Sequence, residues 1–292
     1  MGLGALAHVV MIVFLLSVML SVGLETTGRA ILAAGRNTRF LARALVANLV
    51  VVPLLGVLIA RAFPLPRGLA IALLLLAGAP GAPLSVGFTT RVREDLPLAA
   101  ALHLILTAAA IVVSPLLFWF MLPAQAHVTL PVAPILRYVL LLLALPLVAG
   151  RLIQARAPAA AAWLRRPTRV VAALTLPAFI LATLGARREA TRAIGGTAIV
   201  AVLVLILLGL LAGWLAGGPR RGTRQIVACA TSMRNTALCL LLAVQAYPGQ
   251  GVDVGVAAFS ALMVPPSMLL SLFEGRRRKR LAAAAPAAPA PA

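Results

Sequence analysis

Acidic side chains are nearly absent from this sequence: 6 Asp and Glu stand against 26 Lys and Arg in 292 residues. So few carboxylates leave no obvious pair for general acid and base chemistry and no ligand cluster for a divalent metal. The sequence also contains no Ser/His/Asp set and no phosphate-binding loop. We therefore predict that the protein is not an enzyme and has no cofactor or metal centre.

Cysteine and aromatic residues are also scarce. Cys229 and Cys239 fall on one predicted helix, about 15 Å apart along its axis, which is too far for a mutual disulfide. We interpret both as small buried side chains that do not fall at an interruption of a helix. Aromatic residues make up 5% of the chain, which argues against a site that stacks bases or sugars.

Long hydrophobic runs are what the sequence has in abundance. Hydrophobic residues make up 62% of the chain, more than a soluble core of this size could bury. There are about nine runs of roughly 17 to 25 residues, each long enough for a helix to cross about 30 Å of hydrocarbon. The predicted spans are 5–24, 41–60, 68–90, 96–122, 132–153, 170–186, 194–216, 224–246 and 252–273.

The predicted fold class is all-α, a polytopic membrane protein with a single transmembrane domain over residues 1–275. Strands are not expected, because the runs are apolar on all faces and do not alternate. Residues 276–292 combine "RRRKR" with Ala and Pro, a composition that cannot bury a core. We predict a disordered cytoplasmic tail there, with its basic cluster near anionic headgroups of the bilayer.

The basic residues alternate between the two ends of the predicted spans. Nineteen fall on the side that carries the C-terminus, six on the other, and Arg234 within a span. The positive-inside rule therefore places the N-terminus outside and the C-terminus in the cytoplasm of a cell inner (plasma) membrane protein. Because topology accounts for the charge and no loop resembles a nucleic-acid-binding module, we predict no nucleic-acid partner.

The third predicted span is interrupted by "GAPGAP" at residues 78–83. Prolines lack the N–H that a helix needs, and glycines are weak helix formers, so backbone carbonyls around Leu76 to Ala79 should be freed at mid-membrane depth. Such backbone is tolerated only when it packs in protein or lines a cavity. The alternative is a proline kink that merely shapes packing.

The eighth span carries a second interruption, with Ser232, Arg234, Asn235 and Thr236 near its middle. An arginine at the bilayer centre costs about 2.5 to 3.5 kcal/mol on insertion scales, so it should face inward with a partner. No acidic residue is predicted to reach it. Either the guanidinium binds carbonyls freed by the first interruption, or its counter-ion arrives as a substrate. Asn235 and Thr236 are natural N-cap residues for a half-helix.

The two interrupted spans run in opposite directions across the predicted membrane. They therefore occupy comparable places in inverted repeats, which is where transporters build their binding sites. The half-helices that follow each interruption would direct positive N-terminal ends at the crossing. Together with Arg234, this arrangement suits an anion.

Five stretches carry a family resemblance: "MLSVGLE" (19–25), "NLVVVP" (48–53), "AGAPGAPLS" (77–85), "SPLL" (114–117) and "SMRNTALCLLLA" (232–243). With these the chain resembles the bile acid:sodium symporter family. The resemblance implies two discontinuous helices that cross near the membrane centre and a core subdomain that moves against an interleaved panel subdomain. It also implies uptake of organic anions together with sodium.

The chain departs from the family pattern at both interruptions. Val86 stands where the family has an asparagine that helps to hold sodium, Ala230 replaces an acidic ligand, and Arg234 replaces a glutamine. A cation beside a sodium site repels the ion at low dielectric. A guanidinium is itself a permanent cation, so it could do the electrostatic work of sodium, and we expect sodium to matter little.

The candidate site residues fall into two sets. Substrate-binding candidates are Arg234, Asn235, Thr236, Ser232, Ser85 and Asn48, and candidates for an ion site or cavity are Thr231, Met233, Thr107, His103 and Ser114. His103 is either a proton relay or a histidine bonded within the bundle. Asn48 either bonds to the second interruption or packs as an amide, and Thr107 and Ser114 either line a cavity or bond to their own helix.

These observations predict a secondary active transporter for a small or amphipathic organic anion. The alternatives are a channel-like uniporter or a non-transporting membrane protein on the same scaffold, and an arsenite-type exporter. The last needs thiol chemistry at an interruption, which the expected positions of the two cysteines do not supply.

Overall fold

The computed structural model describes residues 3–82, 85, 96–122, 137, 139–186, 192 and 194–284. All regular structure in these ranges is helical, and the described residues contain no strand. The all-α prediction is confirmed to that extent.

The helices of the first half are α1 (Leu3–Glu25), α2 (Gly28–Arg36), α3 (Thr38–Val46), α4 (Val52–Ala62), α5 (Arg67–Gly78) and α6 (Leu96–Met121). A π-helical turn, Ala47–Val51, joins α3 to α4, so that Thr38–Ala62 is one continuous span. The second half contains α7 (Leu145–Arg156), α8 (Pro158–Ala186), α9 (Gly196–Ala216), α10 (Arg221–Ser232), α11 (Thr236–Ala246) and α12 (Val252–Ala284).

Three helices in the described ranges are long and apolar enough to cross a membrane alone: Thr38–Ala62, Gly196–Ala216 and Val252–Arg278. A fourth is obtained if the two halves of α6, Ala101–Ala110 and Val112–Met121, count as one span bent by 54°. The bend follows from Pro115, which has no N–H for the carbonyl of residue 111. A multi-pass membrane protein is supported, while the nine spans and the inverted repeats stay predictions.

The outer faces of the long helices are apolar. Exposed large hydrophobic side chains include Leu54 and Leu58 on α4, Leu207 and Leu211 on α9, and Phe273 on α12. Faces of this kind belong in hydrocarbon, because their exposure to water would be unfavourable. Location in the inner membrane and the orientation of the termini stay predictions.

Two groups of helices pack within themselves, and α8 of the first group also packs against α12 of the second. In the first, α1 packs against α7 and α8, and Gly23 and Gly150 let the backbones of α1 and α7 approach. A Cβ on Gly150 would lie 3.1 Å from the Cα of Gly23, and a Cβ on Gly23 would lie 2.8 Å from the N of Arg151. The second group contains α4, α5, α9, α10, α11 and α12. Two such groups suit a panel and a core, but movement between them stays a prediction.

Two helices extend beyond the predicted boundaries. We predicted a span at 170–186, yet α8 begins at Pro158 and continues through Pro167. Its early turns are held to α1, because Arg165 Nε donates to the Leu24 carbonyl over 3.0 Å and Arg169 pairs with Glu25 at 2.9 Å.

The predicted tail at 276–292 begins inside a helix. Helix α12 runs to Ala284, and residues 285–292 lie outside the described residues. The first proline beyond the basic cluster stands at position 286. Arg, Lys, Leu and Ala are all good helix formers, so nothing local ends the helix earlier.

Candidate functional site

The first interruption begins where α5 ends at Gly78. Residues 79–82 are not helical, and Gly81 has a φ of +87°. Pro80 cannot donate to the Leu76 carbonyl, so the helical hydrogen-bond ladder stops there. Most of the predicted continuation, at 83–84 and 86–95, lies outside the described residues.

The second interruption separates α10 from α11. Helix α10 ends at Ser232, and α11 begins at Thr236. Asn235 is the N-cap of α11, because its Oδ1 accepts from the backbone N–H of Leu238 over 3.1 Å. The predicted capping role of Asn235 is therefore confirmed, and Thr236 is the first helical residue.

The two interruptions meet directly. The backbone N–H of Asn235 donates to the carbonyl of Ala79 over 2.8 Å. In a continuous helix that carbonyl would accept from residue 83, which is a proline and has no N–H. The predicted contact between residues 79 and 235 is present, and a carbonyl freed at the end of α5 satisfies an amide freed by the second interruption. That the first span resumes as a helix after residue 82 stays a prediction.

Arg234 is buried at this crossing, with 2% of its surface exposed. Its Nε donates to the Leu76 carbonyl over 2.9 Å and its Nη2 to the Ala77 carbonyl over 2.5 Å. Both acceptors are among the carbonyls that the sequence predicted to be freed. The first alternative for Arg234, a guanidinium bound to these carbonyls, therefore describes its contacts.

Asn48 supplies the other two acceptors. Arg234 Nη1 donates to Asn48 Oδ1 over 3.0 Å, and Nη2 donates to the Asn48 carbonyl over 3.2 Å. That carbonyl is available because the N–H of Val52 bonds to Ala47 across the π-helical turn and the next residue, Pro53, has no N–H. The expected bond between Asn48 and the second interruption is thus present.

The guanidinium is a positive charge with neutral partners. Four of its five N–H groups are used, and every acceptor is a carbonyl or amide oxygen. Among the described acidic residues, Glu25 pairs with Arg169 and Glu274 with Arg221. No carboxylate within the described ranges pairs with Arg234.

Sodium does not fit at this point. Carbonyl and amide oxygens are the ligands that a hard cation prefers. The four such oxygens at this point already accept hydrogen bonds from the Arg234 guanidinium. A sodium ion beside it would meet a fixed like charge at short range. In the described part of the chain, no three His, Cys, Asp or Glu side chains come together as a metal site.

The side chains beside Arg234 bond mainly to α12 and α9. Ser232 Oγ lies 3.0 Å from Ser267 Oγ, and Thr236 Oγ1 donates to Ser260 Oγ over 2.8 Å. Thr231 Oγ1 instead donates to the Gly209 carbonyl over 2.7 Å, so it serves the contact with α9. Asn235 Nδ2 is buried without a hydrogen-bond partner in the described structure.

Ser260 and Ser267 were missed by the sequence analysis. Both are buried on α12, seven residues apart in an apolar span, a spacing of two helical turns. Each bonds to a different half of the interrupted span. Their shared helical face was the signal that could have found them.

Of the remaining candidates, Ser85 and Met233 are buried close to the interruptions in sequence. The N–H of Ser85 donates to the Ala82 carbonyl over 2.9 Å, and the N–H of Met233 bonds to the Cys229 carbonyl over 3.1 Å as the C-cap of α10. No side-chain bond of Ser85 marks it as a binding group in the described contacts.

Helix α6 lies against the first interruption through Thr107. Thr107 Oγ1 lies 3.4 Å from the Gly81 carbonyl and 3.2 Å from His103 Nε2. A Cβ on Gly81 would come within 2.7 Å of the Thr107 backbone N, so only glycine fits there. Ser114 is buried further along α6, and its Oγ has no partner among the described residues.

The cysteines lie in helices and not at either interruption, as the sequence predicted. Cys229 lies in the last turn of α10, where its carbonyl accepts from Met233, and the N–H of Cys239 donates to the Asn235 carbonyl over 3.1 Å. Both thiols are buried and free. They therefore lie on either side of the second interruption, one in α10 and the other in α11.

Comparison with known sequences adds a family. A sequence model of the sodium bile acid symporter family matches residues 12–194. The matched range includes Asn48, the first interruption, His103, Thr107 and Ser114, and it ends before the second interruption. No curated protein matches the sequence.

Proposed function

The chain belongs to the sodium bile acid symporter family, whose members are membrane transporters and not enzymes, and we propose that it carries an organic anion without sodium. The transported species would be a small or amphipathic organic anion, moved by a secondary active mechanism. Arg234 would stand in place of the coupling cation.

The bonds of Arg234 carry this proposal. The Arg234 guanidinium donates to four neutral oxygens, and 2% of the residue's surface is exposed. Its positive charge therefore stays at the crossing. It occupies the position at which the family resemblance implies a sodium ligand. A charge that cannot dissociate would make the electrostatics of the site independent of the sodium concentration.

The neighbouring groups favour a negative ligand. One N–H on Arg234 Nη1 is left over from the four bonds, and Asn235 Nδ2 has no partner in the described structure. Helix α11 starts at Thr236 and directs its positive end toward the crossing. We assign Arg234 and Asn235 to the anionic group, with Thr236, Ser232 and Ser85 as neutral neighbours and Asn48 as a positioning residue.

A thermal-shift screen tests the proposal. The purified protein is heated with cholate, taurocholate, pyruvate or arsenite, each in sodium and in choline buffer. Because a ligand that binds only the folded state raises its stability, at least one organic anion should raise the melting temperature equally in both buffers. A shift that requires sodium contradicts the sodium-independent site. A shift with arsenite alone favours the arsenite-type exporter.

The matched variant is Arg234→Gln, which keeps a polar side chain but removes the charge. A charge-assisted hydrogen bond is worth about 1.5 to 3 kcal/mol, so anion binding should weaken by roughly one to two orders of magnitude. Normal anion binding by a folded Arg234→Gln protein would make the arginine purely structural. Arg61→Gln is the control, because Arg61 is exposed at the end of α4.

A further inference from the structure

We infer that the buried guanidinium makes this protein an anion exchanger, in which one organic anion leaves as another enters. The inference rests on the proposed function, because it concerns the same site. It starts from the bonds of Arg234, which tie its charge to α5, to the π-helical turn before α4 and to the interruption between α10 and α11.

The charge of the site differs between the loaded and the empty protein. With a monovalent anion beside Arg234, the positive and negative charges cancel. Without the anion, the positive charge of Arg234 has only neutral oxygens as partners, and 2% of the residue's surface is exposed. An unpaired charge is costly to move through a low-dielectric barrier. The loaded protein should therefore switch its access from one side to the other faster than the empty protein.

A free coupling ion would avoid this problem. Sodium enters and leaves with the substrate, so a protein that uses it returns with neither charge. Arg234 cannot leave, because the peptide chain and four hydrogen bonds hold it. The return step is then quick only when a second anion occupies the site. The gradient of that second anion, rather than a sodium gradient, supplies the driving force.

The two transport modes also differ in their response to a membrane potential. Exchange of two monovalent anions carries no net charge, because both passages are made by the neutral loaded form. Net uptake returns the positively charged empty form and moves one negative charge inward overall. A potential that is negative inside opposes such a movement. It should slow net uptake and leave exchange unchanged.

The experiment uses the full chain in liposomes with two probes, radiolabelled cholate and radiolabelled pyruvate. Vesicles contain either the same unlabelled anion or none, and valinomycin with a potassium gradient sets a potential that is negative inside. We expect uptake of at least one probe to be about tenfold faster into anion-loaded vesicles, with only the uptake into empty vesicles slowed by the potential.

Two variants separate the charge from the fold. In Arg234→Gln the ratio of exchange to net uptake should fall below about twofold, because the empty form no longer carries the charge. Arg61→Gln removes an exposed arginine and should keep the wild-type ratio. If Arg234→Gln does not fold, the response of the wild-type protein to the potential decides alone.

The results that would overturn the exchange mechanism differ from those that would overturn the proposed transport function. Net uptake as fast as exchange, or exchange that slows with the potential, overturns the exchanger and leaves the anion transporter standing. Uptake of neither probe in either kind of vesicle overturns the proposed transport function, and the exchanger with it. Uptake that requires a sodium gradient overturns the role of Arg234 in both.

Discussion

Asn48 contacts Arg234 twice, through its side-chain Oδ1 at 3.0 Å and through its backbone carbonyl at 3.2 Å. A single residue thus supplies half of the acceptors around the guanidinium. It can do so because the π-helical turn and Pro53 leave its carbonyl outside the helical ladder. The span that contains α3 and α4 is therefore part of the crossing, although it has no interruption of its own.

We predict that Asn48→Asp weakens anion binding without unfolding the protein. The new carboxylate would lie against Arg234 and act as an internal counter-ion, so an external anion would gain little from the guanidinium. Anion affinity should fall by about tenfold or more. Anion-induced thermal shifts in the variant and the wild type measure this effect.

Asn37→Asp is the matched control for that variant. Asn37 is exposed and caps α3, since its side chain accepts from the N–H of Phe40 over 3.2 Å. Aspartate caps a helix as well as asparagine does. Unchanged anion binding is expected, and an equal loss in both variants would show that the acidic charge acts at long range and not through Arg234.

Gly81→Ala should destabilise the crossing more than another glycine with a positive φ. Gly81 and Gly249 have φ values of +87° and +76°, so alanine at either position costs about 1 to 2 kcal/mol in backbone strain. Only at Gly81 would the Cβ also meet the Thr107 backbone at 2.7 Å, which adds about 1 to 3 kcal/mol. Melting temperatures of the two variants, with Gly35→Ala as an unstrained reference, test the difference. Equal losses at Gly81 and Gly249 would show that the contact with Thr107 yields easily.

Asn235 combines a capping role with a proposed binding role, and two substitutions separate them. Asn235→Ala removes the N-cap bond to Leu238 and should cost about 1 kcal/mol of stability. Asn235→Ser keeps a capping oxygen but lacks Nδ2, so its stability should survive while anion affinity falls. If Asn235→Ser binds the anion as the wild type does, Nδ2 is not a ligand.

The predicted orientation is tested by reporters fused to the C-terminus. Alkaline phosphatase is active outside the cytoplasm and green fluorescent protein inside it, and the bias of 19 basic residues to six predicts fluorescence without phosphatase activity. The reverse pattern would invert the topology and with it the direction assigned to each interrupted span.

The two interruptions could be predicted because their causes are local, whereas their meeting was predicted from the opposite directions of the two spans. Pro80 and the proline at 83 withdraw the N–H groups that would bond Leu76 and Ala79, and these carbonyls are the ones used by Arg234 and Asn235. The capping role of Asn235 follows equally from residue type and position.

That Arg234 bonds to the freed carbonyls and to Asn48 was harder to predict than that the carbonyls are freed. Whether the guanidinium bonds to protein oxygens or to a substrate depends on the distance between Asn48 and Arg234. No local sequence pattern sets that distance. The π-helical turn, the bonds of Ser260 and Ser267 to the second interruption, and the early start of α8 likewise depend on packing. Pro167 suggests a helix boundary by local rules, yet α8 continues through it, with Arg165 and Arg169 on either side in contact with α1.

The close approach of Gly23 and Gly150 limits how α1 and α7 can move. Neither position has room for a side chain. If one helix slid along the other by one turn, about 5.4 Å, a residue with a side chain would have to fit where only a glycine fits. The contact between α1 and α7 therefore resists sliding of one helix along the other. The predicted movement between the helix groups would therefore have to bend another helix, and Pro265 and Pro266 remove two successive N–H groups from the hydrogen-bond ladder of α12.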